Sequence, residues 1–326
     1  MTFKDIIGHE RPVRILQRAL QGGTLAHAYL FSGQDGIGKR RTALALAAAV
    51  NCPVAGPADA CGACPSCRKV ASGNHPDVHA LAPDGTDIKI DQVREAQASL
   101  ALRPFEGAKK VLIADRADAL NDAASNALLK TLEEPPGDAV LILVTAMPQS
   151  LLPTIRSRCQ EVRFLPLPRP VLAAALREKR GLSEEDAWFV AAVARGSVGS
   201  GMETEVETAR KERDGFLSLW SGLASAGMTE ILKSAEALGK DREEFARLID
   251  LGIERLRDAA VYAATGDERL LIYPQAGIAA AVRDGGVPLR SLLADMGLLV
   301  RSRDLLDRRV SGQLIAENLL LKLGRS

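Results

Sequence analysis

The feature that most constrains the fold of this chain is the glycine-rich stretch GQDGIGK, residues 33–39. The apolar run AYLFS precedes it and the run RRTALALAAAV follows it. A strand, a glycine-rich loop and a helix in this order form a phosphate-binding loop, in which backbone N–H groups and a lysine hold phosphate oxygens. The sequence therefore predicts an α/β domain with a nucleotide site at Gly33, Gly36, Gly38 and Lys39.

Two positions of this predicted site lack groups that ATP hydrolysis requires. Arg40 stands where the motif places a Ser or Thr hydroxyl for Mg²⁺, and a guanidinium cannot ligate a cation. After the run KVLIA, Asp115 fills the position of the metal-binding acid, but Arg116 follows where the base would stand. Because arginine stays protonated at any ordinary pH, it cannot activate water. We therefore expect no ATP turnover at this site.

Two hypotheses for nucleotide binding stay open at this point. Lys39 and the glycine backbone retain most of the phosphate cradle, and Arg40 adds positive charge to it. In that case ATP binds and is not hydrolysed. Alternatively, the loop is a vestigial turn that is kept for packing.

Four of the five cysteines lie close together in the spacing C-x8-C-x2-C-x2-C, at Cys52, Cys61, Cys64 and Cys67. Two C-x2-C steps that share Cys64 allow successive thiolates to converge on one tetrahedral ion. Four thiolates leave no open position for water, so we expect a structural Zn²⁺ site. Unmetallated thiols or disulfides are the alternative. In a large cytoplasmic chain, such a cluster indicates metal binding more often than disulfides.

The charge balance bears on the kind of partner this chain can have. A net charge of +1, from 42 basic and 41 acidic residues, provides no long-range field for tight binding to nucleic acid or membrane. Only 4% of residues are aromatic, which disfavours a single-stranded nucleic-acid platform. Neither a signal peptide nor an apolar run long enough to span a bilayer is evident, so we expect a cytoplasmic protein that does not contact membranes.

The order of apolar runs predicts the domain organisation. Five short runs, AYLFSG, DVHALAP, KVLIAD, AVLILVTA and EVRFLPL, alternate with helical patterns, which is typical of a parallel sheet covered by helices. The proline-dense LPLPRP ends this domain at residue 166. We expect a small helical lid at 167–205 and an all-α domain at 206–326. The run 305–323 predicts an amphipathic helical stripe, which is either core or a subunit contact.

Longer motifs show a family resemblance. The runs SNALLKTLEEPP and LILVTAMPQSLLPTIRSRC, together with IGHERPVRILQRAL and AHAYLFSGQDGIGK, resemble bacterial clamp-loader subunits of the AAA+ class. The resemblance is strong over the first half and rests only on length and pattern afterwards. It implies an AAA+ nucleotide-binding-like domain with the zinc module inserted after the P-loop helix, a lid, and a C-terminal helical collar.

Within that family the sequence is most similar to the delta-prime type, which does not hydrolyse ATP. Arg40 and Arg116 agree with this assignment. In RGSVGSG, Gly199 stands where motor subunits carry a nucleotide-sensing arginine. Thr145 matches the sensor position that follows the fourth strand. The resemblance thus implies a degenerate nucleotide site that includes Arg40, Asp115 and Thr145.

One motif of the family is intact and faces outward. The triplet SRC resembles the arginine-finger motif, in which Arg158 reaches the γ-phosphate held by a neighbouring subunit. A structural salt bridge is the alternative for this arginine. We expect Cys159 beside it to be a buried packing residue. For Lys130, Glu133 and Glu134, on the helix of SNALLKTLEEPP, a subunit-interface role and a solvated face are both open.

The function that the resemblance implies is that of a non-hydrolysing subunit of the DNA polymerase III clamp loader. Its expected partners are the gamma/tau motor and delta subunits, and, through the assembled complex, the sliding clamp and primer-template DNA. The holoenzyme is a DNA-directed DNA polymerase, but we expect this chain to have neither polymerase nor ATPase turnover. The alternative is an ATP-hydrolysing, gamma/tau-like motor subunit.

Overall fold

A computed structural model gives the structure of the protein and describes residues 1–54, 56, 58–223, 227–273, 277–308 and 310–323. The chain forms two compact units, Met1–Glu203 and Thr204–Ser326. The finer division into three domains, with boundaries after residues 166 and 205, stays a prediction.

A five-stranded sheet forms the centre of the first unit. Its strands are β1 Ala28–Ser32, β2 Val78–Leu81, β3 Val111–Ala114, β4 Val140–Thr145 and β5 Gln160–Arg163. They lie in the order β2-β3-β4-β1-β5, and every neighbouring pair is parallel. Four strands fall within their predicted runs, and β5 begins one residue before the run EVRFLPL, so the predicted parallel sheet is confirmed.

Helices cover both faces of this sheet. The helices of the first unit are α1 Glu10–Gln21, α2 Lys39–Asn51, α3 Pro65–Ser72, α4 Ile90–Leu100, α5 Asp122–Glu133, α6 Pro153–Arg156, α7 Arg169–Arg180, α8 Glu184–Val193 and α9 Val198–Glu203. Polar N-caps begin several of them: Asn121 accepts a hydrogen bond from Ala124 N at the start of α5, and Ser183 caps α8 through Asp186 N.

The sheet separates two apolar cores because side chains along a strand alternate between its faces. Tyr29 and Phe31 pack in one core with the alanine-rich face of α2. Ala28 and Leu30 pack in the other core, with α4 and α5. All five residues of β1 are buried, as expected for a central strand of a parallel sheet that is covered on both faces.

The second unit is helical over its described residues. Its helices are α10 Val206–Leu223, α11 Met228–Lys240, α12 Arg242–Thr265, α13 Ile278–Gly285, α14 Leu289–Asp307 and α15 Gly312–Leu323. Asp241 caps the start of α12, and Gly266 ends it in a left-handed conformation. An α/β unit with a parallel sheet, followed by a unit that is helical over its described residues, agrees with the expected fold class.

The stripe expected over residues 305–323 does not lie on one helix. The chain leaves α14 at Asp307 and starts α15 at Gly312, where the backbone packs closely on α11. A Cβ at Gly239 of α11 would lie 2.6 Å from the backbone of Gln313, so this approach requires a glycine. Leu306 is buried in the core, whereas Leu314 is 62% exposed. The stripe is therefore core at its beginning and solvent-facing in the middle.

Candidate degenerate nucleotide site and cysteine centre

The glycine-rich loop lies between β1 and α2, at the carboxyl edge of the sheet. Gly36 and Gly38 have φ of 71° and 108°, a region that favours glycine. Lys39 begins α2 with its side chain almost fully buried, and its Nζ donates to the carbonyl oxygens of Gly33 and Gln34. Burial lowers the pKa of Lys39, while Asp35 at 3.6 Å opposes this shift. The lysine therefore turns back onto its own loop.

Arg40 points toward the carboxyl end of β3, where its Nε lies 3.2 Å from Oδ2 of Asp115. Arg40, at the position where a hydroxyl for Mg²⁺ was expected, thus forms an ion pair with Asp115, the expected metal-binding acid. Thr42 does not replace the hydroxyl, because it is fully buried and its Oγ1 donates to the carbonyl of Gly38 at 3.0 Å. The site brings arginine and carboxylate together in a pair that needs no cation.

A cavity of about 540 Å³ opens beside the loop. Its lining includes Gly36, Gly38, Lys39, Arg40, Asp115, Arg116, Thr145 and Gly199. Of the predicted nucleotide-site residues, only Gly33 is outside this lining; it precedes the loop and pairs through its N–H with the carbonyl of Thr145. The structure therefore brings together the predicted site residues, together with Arg116 in the unusual left-handed conformation.

Thr145, at the end of β4, is buried and makes a contact within the chain. Its Oγ1 donates to Oδ1 of Asp118 at 2.6 Å and accepts from Met147 N at 2.9 Å. Asp118 lies in the short turn that follows β3. Because strands β3 and β4 are adjacent, their ends place these two side chains in contact.

The helix α9 packs directly on the loop. Gly199 N donates to the carbonyl of Gly36 at 2.8 Å. A Cβ at Gly199 would lie 3.1 Å from Cα of Gly36, and a Cβ at Gly36 would meet Ser197 Oγ. By the family resemblance, motor subunits carry a sensing arginine at this position. Here the backbone of Gly199 contacts the loop, and a side chain would fit only if the loop or α9 shifted.

The four predicted cysteines converge. Their Sγ atoms all lie within 4.8 Å of one another, with Cys52 and Cys64 at 3.8 Å and Cys61 and Cys67 at 4.0 Å. Four sulfurs placed about 2.3 Å from a tetrahedral ion are about 3.8 Å apart, so the spacing fits a metal centre. All four are free thiols. The cluster can hold a metal ion.

Local structure explains this convergence. Cys52 is the C-cap of α2, as the sequence predicts, and Cys64 is the N-cap of α3. Backbone N–H groups point at the sulfurs: Cys64 N at Cys61 Sγ (3.3 Å) and Cys67 N at Cys64 Sγ (3.4 Å). Hydrogen bonds from the Ala63 and Cys64 N–H groups lower the pKa of Cys61 to about 6, which favours the thiolate that a metal binds.

Arg158 lies just beyond α6 and is partly exposed. Its Nη2 is 2.7 Å from Oε1 of Glu133, the last residue of α5, and its Nη1 donates to the carbonyl of Thr154 at 3.0 Å. The salt bridge that sequence analysis kept as an alternative is therefore present in this chain. Cys159 beside it packs against the second core, and burial raises the pKa of its thiol to about 12, as befits a packing residue.

Two organising residues were missed by sequence reasoning. His9 is buried, and its Nε2 lies 2.6 Å from the carbonyl oxygen of Ile37, so it ties the start of α1 to the loop. Burial lowers the pKa of His9. Asp77, also fully buried, precedes β2 and holds a distant loop. Their partners lie about 30 residues away, and a single sequence carries no local signal for such pairs.

Comparison with known proteins locates the family. The family described as "DNA polymerase III, delta subunit" matches residues 8–168. The subunit delta' of Bacillus subtilis is 43% identical over 157 residues, 48% of this chain and 47% of that protein. The subunit delta' of Pseudomonas aeruginosa is 46% identical over 145 residues, 44% of each chain. The subunit gamma/tau of Mycobacterium tuberculosis is 32% identical over 309 residues, 94% of this chain and 49% of that protein.

Among solved structures, a DNA polymerase III gamma subunit-related protein of Thermotoga maritima aligns with a TM-score of 0.44 at 19% identity, over 96% of this chain and 99% of that one. The chain spans about half the length of the sequence relatives it matches. The family match and the two delta' relatives agree with the motifs and confirm the resemblance seen in the sequence. Through residues 8–168, about half of its length, the chain belongs to the DNA polymerase III delta-subunit family, and two of its relatives there are named subunit delta'.

Proposed function

We propose that this chain is a clamp-loader subunit of the delta-prime type, which hydrolyses no ATP itself and contributes Arg158 to the ATP site of an adjacent motor subunit. The observation that carries this proposal is the ion pair between Arg40 and Asp115, because it joins the residue at the expected hydroxyl position to the expected metal-binding acid. A guanidinium at Arg158 provides the planar, permanently charged fork that a phosphate in a neighbouring site requires.

We further propose that the cysteine centre holds Zn²⁺ with a structural role. Four sulfurs close the coordination shell, so the ion has no position for a substrate. The cavity beside the loop is large enough for a nucleotide. ATP bound there would meet Lys39 and Arg40 but neither a Mg²⁺ hydroxyl nor a base, so the chemistry supports binding without hydrolysis.

The proposed partners are the gamma/tau motor and delta subunits, with the sliding clamp and primer-template DNA reached through the assembled complex. The all-α unit would provide the collar contacts and α7–α9 the lid, and the cytoplasm is the compartment that replication implies. Over the described residues, no helix is long and apolar enough to cross a bilayer.

A motor subunit remains the second candidate, because a gamma/tau relative matches over 309 residues of this chain. Arg40 and Arg116 argue against it, since neither Mg²⁺ ligation nor base catalysis is possible at those positions. Steady ATP turnover by the isolated chain would favour the motor-subunit hypothesis. The absence of turnover would favour the delta-prime hypothesis.

The deciding experiment is the DNA- and clamp-stimulated ATPase rate of a complex reconstituted from motor subunits and this chain. We expect Arg158→Ala to lower the rate at least tenfold with assembly intact. Arg156→Ala is the matched control, since this arginine is exposed two residues away and should leave the rate unchanged. An unchanged rate in Arg158→Ala would leave the chain as a ring-closing scaffold.

A further inference from the structure

We propose that Glu133 is the positioning residue of Arg158: its carboxylate holds the guanidinium in the direction from which the neighbouring subunit's phosphate is approached. This inference rests on the proposed function of Arg158. It adds a residue that the motif SRC does not contain and that lies 25 positions earlier in the chain.

The geometry of the contact supports this role. Nη2 of Arg158 is 2.7 Å from Oε1 of Glu133, and Nη1 donates to the carbonyl of Thr154 at 3.0 Å. The two acceptors belong to different elements, since Glu133 ends α5 and Thr154 lies in α6. Two fixed acceptors on a planar fork set both its position and its tilt. A single acceptor would leave the side chain free to rotate.

The supports themselves are held in place. The helix α5 packs on the second core through Leu128 and Leu132, which are almost fully buried. Ile155 of α6 is fully buried in the same core. The carboxylate of Glu133 and the carbonyl of Thr154 are therefore presented from elements that share one packed interior.

The contact leaves the fork able to bind a further acceptor. A guanidinium carries five N–H groups. Glu133, Thr154 and, at 3.5 Å, Ser157 Oγ account for three contacts of Nη1 and Nη2. Arg158 can thus keep Glu133 and still donate to a phosphate oxygen. Because the Arg158 and Glu133 side chains are 35% and 50% exposed, the pair adds little to stability, and removing it should not unfold the chain.

The ion pair with Glu133 affects the ATPase rate because it pre-organises Arg158. A free arginine must lose rotamer freedom when it reaches the transition state, whereas a held arginine has lost that freedom beforehand. Replacing the carboxylate with a neutral amide of the same shape weakens the hold and leaves the packing unchanged. The expected result is a lower kcat with little change in KM for ATP, because the contact acts on the transition state.

The test uses the reconstituted complex with Glu133→Gln, Arg158→Ala and the double variant. We expect Glu133→Gln to lower kcat about threefold to tenfold, Glu133→Asp to recover part of the loss, and the double variant to be no slower than Arg158→Ala alone. Glu95→Gln is the matched control, an exposed carboxylate on α4 outside the ion pair with Arg158 and outside the proposed nucleotide site. Its rate should equal that of the wild type.

The outcomes separate the two proposals. If Arg158→Ala lowers the rate and Glu133→Gln leaves it unchanged or raises it, the positioning role is wrong and the arginine finger stands. Losses from Glu133→Gln and Arg158→Ala that simply multiply in the double variant would also contradict it. If Arg158→Ala has no effect, the finger and its positioning residue are both overturned.

Discussion

At the scale of single residues, the buried carboxylate of Asp77 shows how one side chain can fix a loop. It accepts hydrogen bonds from the N–H groups of Phe105 (2.7 Å), Glu106 (2.9 Å) and Gly107 (2.7 Å), and it pairs with Lys110 at 2.9 Å. Burial by itself would raise its pKa, but these donors hold the pKa well below the usual range. The carboxyl group of Asp77 is therefore ionised in the folded protein.

Removing this carboxylate should be costly. Asp77→Ala leaves three backbone N–H groups and the buried Lys110 ammonium without their acceptor, for an expected loss of about 3–5 kcal/mol in the free energy of unfolding. Urea denaturation measures it. Asp138→Ala is the control, because Asp138 is 87% exposed beside Lys109 and should cost less than about 1 kcal/mol. Equal losses in the two variants would contradict the role of Asp77.

The same carboxylate predicts a pH dependence. Because its folded pKa is depressed, the unfolded chain takes up the proton first, and acid favours unfolding. The stabilisation is fully present above the unfolded pKa of about 3.9 and is lost as pH falls toward the folded pKa. The stability gap between wild type and Asp77→Asn should therefore be constant from pH 7 to 5 and shrink below about pH 4. A gap that is independent of pH would refute this assignment.

At the scale of elements, the contact between α9 and the glycine-rich loop lies at the position where, by the family resemblance, a motor subunit carries its nucleotide-sensing arginine. The Gly199 N–H bonds to the Gly36 carbonyl, and the atoms that a Cβ at Gly199 would meet are all backbone atoms of Gly36. Backbone cannot rotate aside as a flexible side chain can. An arginine at position 199 is therefore absent from the sequence and would also lack space beside the backbone of Gly36.

Restoring the arginine should therefore fail. Gly199→Arg is expected to destabilise the first unit by about 1–3 kcal/mol, since the loop or α9 must shift, and to confer no ATP turnover. Thermal unfolding and an ATPase assay measure these two effects. A helical glycine with open space around its Cβ position, Gly215, is the control, and Gly215→Ala should be neutral or slightly stabilising. Turnover in Gly199→Arg would show that the site needs only this residue.

The cysteine module is the second element with a measurable property. We expect one zinc ion per chain by elemental analysis, lost in Cys64→Ser together with a lower melting temperature, because one thiolate fewer opens the shell. Cys159→Ser should keep the metal, since Cys159 lies outside the cluster of four. Full zinc content in Cys64→Ser would mean that the metal lies elsewhere.

At the scale of the whole molecule, the two compact units suggest separable tasks. We expect a chain that ends at Glu203 to fold and retain zinc, because it keeps the sheet, both of its cores and the cysteine module. We expect it not to assemble with motor subunits, since the proposed collar is absent. Circular dichroism, metal content and gel filtration with the partners check these outcomes. Assembly by the shortened chain would place the main subunit contacts in the first unit.

Much of the fold, and the convergence of the loop residues and of the four cysteines, was predictable from the sequence, because the determining patterns are short. Strand periodicity, the glycines and Lys39 of the loop, and the cysteine spacing each lie within one element or its adjoining turn. The break between α14 and α15 was not, because apolar residues recur at helical spacing on both sides of it. A helical pattern in sequence continues across such a break.

The order of residues along the chain sets the identity of the chemical groups: a glycine-rich loop with Arg40 and Arg116 in place of a hydroxyl and a base, four cysteines in metal-ligand spacing, and Arg158 in its motif. Which of these groups meet depends on the folded chain: Arg40 meets Asp115, Arg158 meets Glu133, and Gly199 meets Gly36. Residue type and local spacing are properties of the chain, whereas contacts between distant residues arise when the sheet and its helices pack together.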